Sequence, residues 1–192
     1  MRSSYKKNNY KKIFKLLAFV IKPKKCVEFG ILDGYSLKAL TESSSKDCDI
    51  EAYDIFEKFP GNAASYDKIV DKFRHHENVS IKRGDFYKLH KTFKDGSIDI
   101  LHIDIANNGD TYRHVINEYM QKLSKRGICI LEGGSESRDN VYWMKKYDKP
   151  RIVPVLESIS ENYYVYTIDE EPSITLIMNK RIEENEEFNS II

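Results

Sequence analysis

The 192 residues allow one domain with a sizeable core, and 41% of them are hydrophobic. Lysine plus arginine (31) nearly balances aspartate plus glutamate (30), which argues against a strongly cationic nucleic-acid binder or a disordered acidic chain. No apolar run reaches the roughly 18–20 residues that span a bilayer, and three widely spaced cysteines suggest neither a disulfide framework nor a zinc site. A signal peptide is not expected, because no small-residue cleavage site follows the short run FKLLAFVI, so the cytosol is the expected compartment.

The balance hides an asymmetry. Residues 1–25 carry Arg2 and eight lysines with no acid, leaving the rest of the chain net acidic. A basic arm of this kind can contact nucleic acid or anionic lipid. Here Tyr10, Ile13, Phe14, Leu17, Val20 and Ile21 recur at helical spacing. The favoured reading is therefore an amphipathic helix over 9–21 with a solvated basic face, ending before Pro23.

Beyond it, strands and helices alternate. KCVEFG (25–30) reads as a buried strand and SLKALTES (36–43) as the next helix. IEAYDI (50–55) is a second strand, NAASYDKIVDKFRHH (62–76) a helix, and VSIKRGD (79–85) a third strand. A short irregular or helical piece follows to Phe93. SIDILHIDI (97–105) is a fourth strand, apolar enough to be buried on both faces. TYRHVINEYMQKLS (111–124) is helical, GICILEGG (127–134) a fifth strand, and SRDNVYWMKKY (137–147) helical. NYYVYTID (162–169) and SITLIMNK (173–180) are joined too tightly for a helix between them, so they should pair antiparallel. The expected fold is one α/β domain with a doubly wound, Rossmann-like, seven-stranded sheet. It is mostly parallel with a C-terminal antiparallel hairpin and carries helices on both faces. The expected organisation is a basic helix over 1–23, a domain over 24–180 and an acidic tail over 181–192.

Ligands of such sheets bind at the carboxyl ends of the strands, near the switch in strand order. The first turn, Glu28-Phe-Gly30-Ile-Leu-Asp33-Gly34, lacks the compact G-x-G-x-x-G of a dinucleotide site. Asp33 would also set negative charge against a diphosphate, so a cofactor without phosphates suits the loop better. Asp54, twenty residues beyond Gly34, can accept both hydroxyls of a ribose. Asp85, after Gly84 at the end of the third strand, can accept from an adenine amino group.

In order and spacing, VEFGILDGYS, AYDIF, RGDF and IDILHID resemble the successive motifs of class I S-adenosylmethionine-dependent methyltransferases, and the resemblance covers residues 24–180. It implies that Glu28, Gly30 and Gly34 shape the loop beside the methionine part of the cofactor. Ser36 would bind its carboxylate, Asp54 the ribose and Asp85 the adenine. The blander alternatives are a loop-anchoring carboxylate for Glu28 and a helix N-cap for Asp85.

Polar residues crowd the ends of strands four and five. Asp104 is the first candidate for a catalytic base, with His114 and Asp110 next, because a hydroxyl acceptor must lose a proton. His102, inside the strand, is expected to be a packed, hydrogen-bonded imidazole, and Tyr112 and Trp143 packing residues. A subgroup of small-molecule O-methyltransferases, sugar- and antibiotic-modifying ones among them, binds magnesium through acids matching Asp104 and Glu132. Gly133 departs from that pattern, so a hydrated acidic cluster is the alternative to Mg2+. Arg138 is expected either to contact substrate or to pair with Glu136 or Asp139.

The resulting expectation is O-methylation of a small polar metabolite, with no membrane partner, nucleic acid disfavoured and a homo-oligomer open. The rivals are an NAD- or nucleotide-sugar-binding enzyme on the same scaffold and a non-catalytic binding module. The asparagine–proline–proline–aromatic signature of many nitrogen-acting nucleic-acid methylases is missing after strand four.

Overall fold

The computed structural model describes residues 1–58 and 61–180. Its centre is one sheet built from β1 (Lys25–Phe29), β2 (Asp49–Asp54), β3 (Val79–Arg83), β4 (Ile98–Ile103), β5 (Leu123–Glu132), β6 (Tyr163–Ile168) and β7 (Ile174–Asn179). The order across the sheet is β3-β2-β1-β4-β5-β7-β6. The first five strands run parallel, and β7 lies antiparallel between β5 and β6. The expected sheet and closing hairpin are both present. Chain order reverses between β1 and β4, so their carboxyl ends flank the crevice where such sheets take ligands.

Alternation along each strand divides the core into two layers. Cys26, Ile100, Ile128 and Ile130 face one side, under α1 (Lys11–Ile21), α2 (Tyr35–Ser43) and α3 (Tyr66–Phe73). Val27, Leu101, Ile103, Cys129 and Leu131 face the other, under the segment that starts with α5 (Gly109–His114) and under α8 (Val153–Ile159). Three short helices, α4 (Phe86–Leu89), α6 (Glu136–Asp139) and α7 (Tyr142–Lys146), sit on loops at the strand ends. All three cysteines are buried free thiols. No helix among the described residues is long and apolar enough to cross a membrane.

Several elements depart from their predicted spans. The helix expected over 62–76 is confined to Tyr66–Phe73, with Ser65 at its N-cap. The one expected over 111–124 breaks up: α5 passes into a π turn over Val115–Tyr119 and a 3-10 turn over Met120–Lys122. β5 begins at Leu123, earlier than Gly127, and 137–147 divides into α6 and α7. α8 was not foreseen. Its Pro154 sits in the first turn, where a missing N–H costs nothing. The acidic tail expected over 181–192 lies outside the described residues.

The basic arm forms the expected amphipathic helix, with Phe14 and Ala18 buried and Lys12 and Lys15 exposed, and Lys11 and Lys15 also pair with Glu42 of α2 at 2.9 and 3.3 Å. Ahead of α1, the chain folds as a strap across the strand ends. Tyr5 and Tyr10 are 0% and 1% exposed, so the strap carries core residues.

Gly30 fixes how closely β1 and β4 approach above the sheet. Its φ is +86°, and a Cβ there would lie 1.9 Å from the carbonyl oxygen of Asp104. Gly30→Ala is expected to cost about 2–3 kcal/mol, from backbone strain and displacement of the β4 end. Urea denaturation of the variant measures it.

Candidate active site

The loop from β1 to α2 is held from below. The Gly30 N–H donates to the Tyr53 carbonyl at 2.9 Å, and the Gly34 N–H closes a turn onto the Ile31 carbonyl at 2.7 Å. Gly34, at φ +75°, then opens α2 with no side-chain cap. The first N–H groups of the helix are left as donors for an anionic group. Asp54, at the end of β2, grips this loop and its own. Oδ2 accepts from the Ile31 N–H at 2.8 Å, while Oδ1 accepts from the Phe56 N–H at 2.7 Å and from Asn62 Nδ2 at 2.6 Å. A carboxylate offers about four lone-pair sites, so one on Oδ2 is left for a ligand.

Asp85 is the N-cap of α4, accepting from the Tyr87 N–H at 3.1 Å, with Lys88 3.3 Å away. The capping role weighed in the sequence is therefore present. Asp33 is not the free negative charge that the loop argument assumed. The Arg2 backbone N–H and guanidinium both bond it, at 2.6 and 2.9 Å, and hold its carboxyl well below the usual carboxylate range.

Beneath the crevice runs a line of buried polar groups. Glu28 and His102 are register partners on neighbouring parallel strands, so their side chains meet on the same face. His102 Nδ1 lies 3.2 Å from Glu28 Oε2, and Ser36 Oγ donates to Glu28 Oε1 at 3.0 Å. On the far side the Tyr5 hydroxyl meets His102 Nε2 at 3.1 Å. Glu28 therefore anchors the loop from inside and is 0% exposed. Ser36, its proton given to Glu28, keeps only lone pairs for a ligand, which suits an ammonium better than the carboxylate expected from sequence.

Asp104 stands one residue beyond β4, its N–H bonded to the Phe29 carbonyl at 2.8 Å. Burial, then the charge of Glu132, pushes its carboxyl up to about 7; Glu28 adds to the rise, while His102 and Arg138 oppose it. Glu132, at the end of β5, belongs to a buried ion pair. Arg138 Nε bonds Oε1 at 2.5 Å and Arg138 NH2 bonds Oε2 at 2.7 Å. Burial pushes the Glu132 carboxyl up and Arg138 draws it back. Asn107 staples the two strand ends by donating to the carbonyls of Ile103 and Glu132 at 3.0 and 2.9 Å. Tyr112 donates to the same Glu132 carbonyl at 3.1 Å, and the Trp143 ring lies 5.1 Å from the Arg138 guanidinium.

The structure thus brings together Glu28, Ser36, His102, Asp104, Glu132 and Arg138. It does not bring in the other two candidate bases. Asp110 is exposed on the first turn of α5 and pairs with Arg113 at 2.7 Å. His114 packs against Phe86, Tyr87 and His90 at centroid distances of 5.1, 5.0 and 5.1 Å. That places it in the layer under α5, on the opposite side of the sheet from Glu28 and His102, where burial lowers its pKa. Arg138 pairs with neither Glu136 nor Asp139 but with Glu132. Asp139 instead accepts the N–H groups of Ile152 and Val153 at the start of α8. The Asp104–Glu132 pair does not fit magnesium, since Arg138 already takes both oxygens of Glu132 and Gly133 adds no ligand. No cluster of three His, Cys, Asp or Glu suited to a metal forms among the described residues.

Sequence reasoning missed Tyr5 and Arg2. Neither belongs to a motif, and a lone tyrosine beside a lysine pair gives no signal of burial beneath a strand end.

A sequence model of the family described as "Methyltransferase domain" matches residues 27–132, more than half of the chain. No curated protein matches the chain in sequence. Among solved structures, the O-methyltransferase of Bacillus cereus in complex with SAH is similar at TM-score 0.67, with 15% identity over 90% of this chain and 81% of that one. The O-methyltransferase TomG of Streptomyces achromogenes, in complex with SAM, gives 0.66, with 14% identity over 89% and 79%. The SAH-bound methyltransferase PaMTH1 of Podospora anserina gives 0.65, with 19% identity over 94% and 80%. At these identities the likeness establishes the fold.

Proposed function

The chain belongs to the methyltransferase-domain family, and on that premise we propose that it transfers the methyl group of S-adenosylmethionine to an oxygen of a small polar acceptor. The observation that carries this reading is a half-buried carboxyl, Asp104, pushed up to about 7 at the strand-order switch, beside the uncapped start of α2 and a partly committed Asp54 carboxylate. The SAM or SAH bound in the similar structures supports the cofactor, and the part of TomG in tomaymycin synthesis supports a small acceptor.

When bound, S-adenosylmethionine would supply an electrophilic methyl on a sulfonium whose leaving group is a neutral thioether. The protein's share is alignment and proton handling. The N–H groups at the start of α2 take the cofactor carboxylate, and the Ser36 oxygen takes the ammonium. The open site on Asp54 Oδ2 takes a ribose hydroxyl, and the exposed side of the Asp85 carboxylate the adenine amino group. Asp104 accepts the proton of the acceptor hydroxyl as its oxygen bonds to carbon, then passes it to solvent. Arg138, with one guanidinium nitrogen uncommitted, orients the acceptor.

S-adenosylhomocysteine is expected to raise the melting temperature of the chain by several degrees at saturation, and NAD+ to leave it unchanged. Thermal-shift titration with each compound decides: stabilisation by NAD+ alone would replace this reading with the oxidoreductase one.

A further inference from the structure

The acid pair at the ends of β4 and β5 stands where relatives of the expected type bind magnesium, yet it is arranged around an arginine. The guanidinium of Arg138 uses Nε and NH2 to hold both oxygens of Glu132, and NH2 also reaches the Asn107 carbonyl at 3.3 Å. Its carbon lies over the Trp143 ring at 5.1 Å from the centroid, and the residue is 5% exposed. This is a fixed planar cation, not a surface side chain that swings aside. A divalent ion on Glu132 would have to displace it and would leave a buried guanidinium without its counter-ion, at high cost. Gly133 supplies no replacement ligand. Magnesium needs a near-octahedral oxygen shell, and only Asp104 would remain to anchor it.

We infer that Arg138 is the resident cation of the crevice in place of a divalent metal, and that its free nitrogen NH1 is the donor reserved for an oxygen of the bound ligand. NH1 is buried with no hydrogen-bond partner. An orphaned charged donor costs free energy in the empty protein, and a ligand oxygen removes that cost on binding. The inference rests on the methyltransferase reading for the ligand, but its metal arm does not.

The test compares the wild-type chain, R138M, D104N and the double variant by thermal melting in millimolar Mg2+ and in EDTA. Wild type is expected to melt at the same temperature in both. R138M, its two acids freed, is expected to gain a Mg2+-dependent rise of several degrees that R138M combined with D104N lacks. A Mg2+ shift in wild type that D104N removes would overturn the inference, as would a folded R138M that gains none. Should R138M not fold, Mn2+ line broadening in wild type decides. Unbroadened amides around Asp104 and Gly133 support the resident arginine, and selective loss of those signals refutes it. A parallel melt with S-adenosylhomocysteine reports separately on the methyltransferase reading.

Discussion

Asp104→Asn is expected to make the protein more stable at pH 8 and nearly inactive. Folding surrounds Asp104 with Glu28 from β1, Glu132 from β5 and the buried Tyr5 hydroxyl, with His102 and Arg138 opposing the rise. Its carboxyl rises to about 7 from the model-peptide value of 3.8, so the folded chain holds a proton that the unfolded chain has lost. The stability tied to that proton is full at low pH, declines as pH climbs between those two values, and levels off above the higher one. Asparagine cannot ionise, so the variant should lack this decline. At pH 8 it should gain about 1–3 kcal/mol, discounting the shift for partial exposure. Methyl transfer should fall by about 10²–10⁴-fold, the usual worth of a positioned base. In wild type the rate should climb with pH through about 7, as Asp104 loses its proton. Urea melts of both proteins from pH 5 to 8, and release of S-adenosylhomocysteine over a panel of hydroxylated acceptors, measure the two effects. A variant that loses stability at pH 8 or keeps its turnover would remove Asp104 from the role of base.

The contrast between what the sequence revealed and what it concealed follows from which interactions are local. Strand apolarity and the two glycines of the first turn act within a few residues, so the sheet, its closing hairpin and the position of Asp104 were legible. The pairing of Arg138 with Glu132 depends on where a four-residue helix sets one guanidinium, and Glu136 and Asp139 are nearer to it in sequence than Glu132. His114 was misplaced because α5 packs on the other side of the sheet, which a list of polar residues near a strand end does not encode. α8 was left unassigned, because Pro150 and Pro154 bracket its start, although Pro154 fits the first helical turn. In the basic arm, helical spacing picked out Tyr10, while lysine density masked the second core tyrosine, Tyr5.

Those tyrosines carry the last prediction. Tyr5→Ala is expected to cost about 3–5 kcal/mol, the scale for emptying a buried aromatic site. The strap is not a loose cover. Arg2 holds Asp33 and the Ala63 carbonyl at one end, and Tyr10 donates to the Pro172 carbonyl at 2.6 Å at the other. Between them the Tyr5 ring packs against Tyr10, Phe14 and His102 at centroid distances of 5.4, 5.8 and 5.8 Å. Its removal would open a cavity and leave His102 Nε2, and through it Glu28, without the hydroxyl that completes the buried line. Tyr5→Phe keeps the ring and should cost only about 1 kcal/mol, the worth of one hydrogen bond. Arg2→Ala, at an exposed ion pair, should change stability far less than Tyr5→Ala. Chemical denaturation of the three variants separates packing from polar contributions. If Tyr5→Ala stayed within about half a kcal/mol of wild type, the strap would be a removable flap and not part of the core.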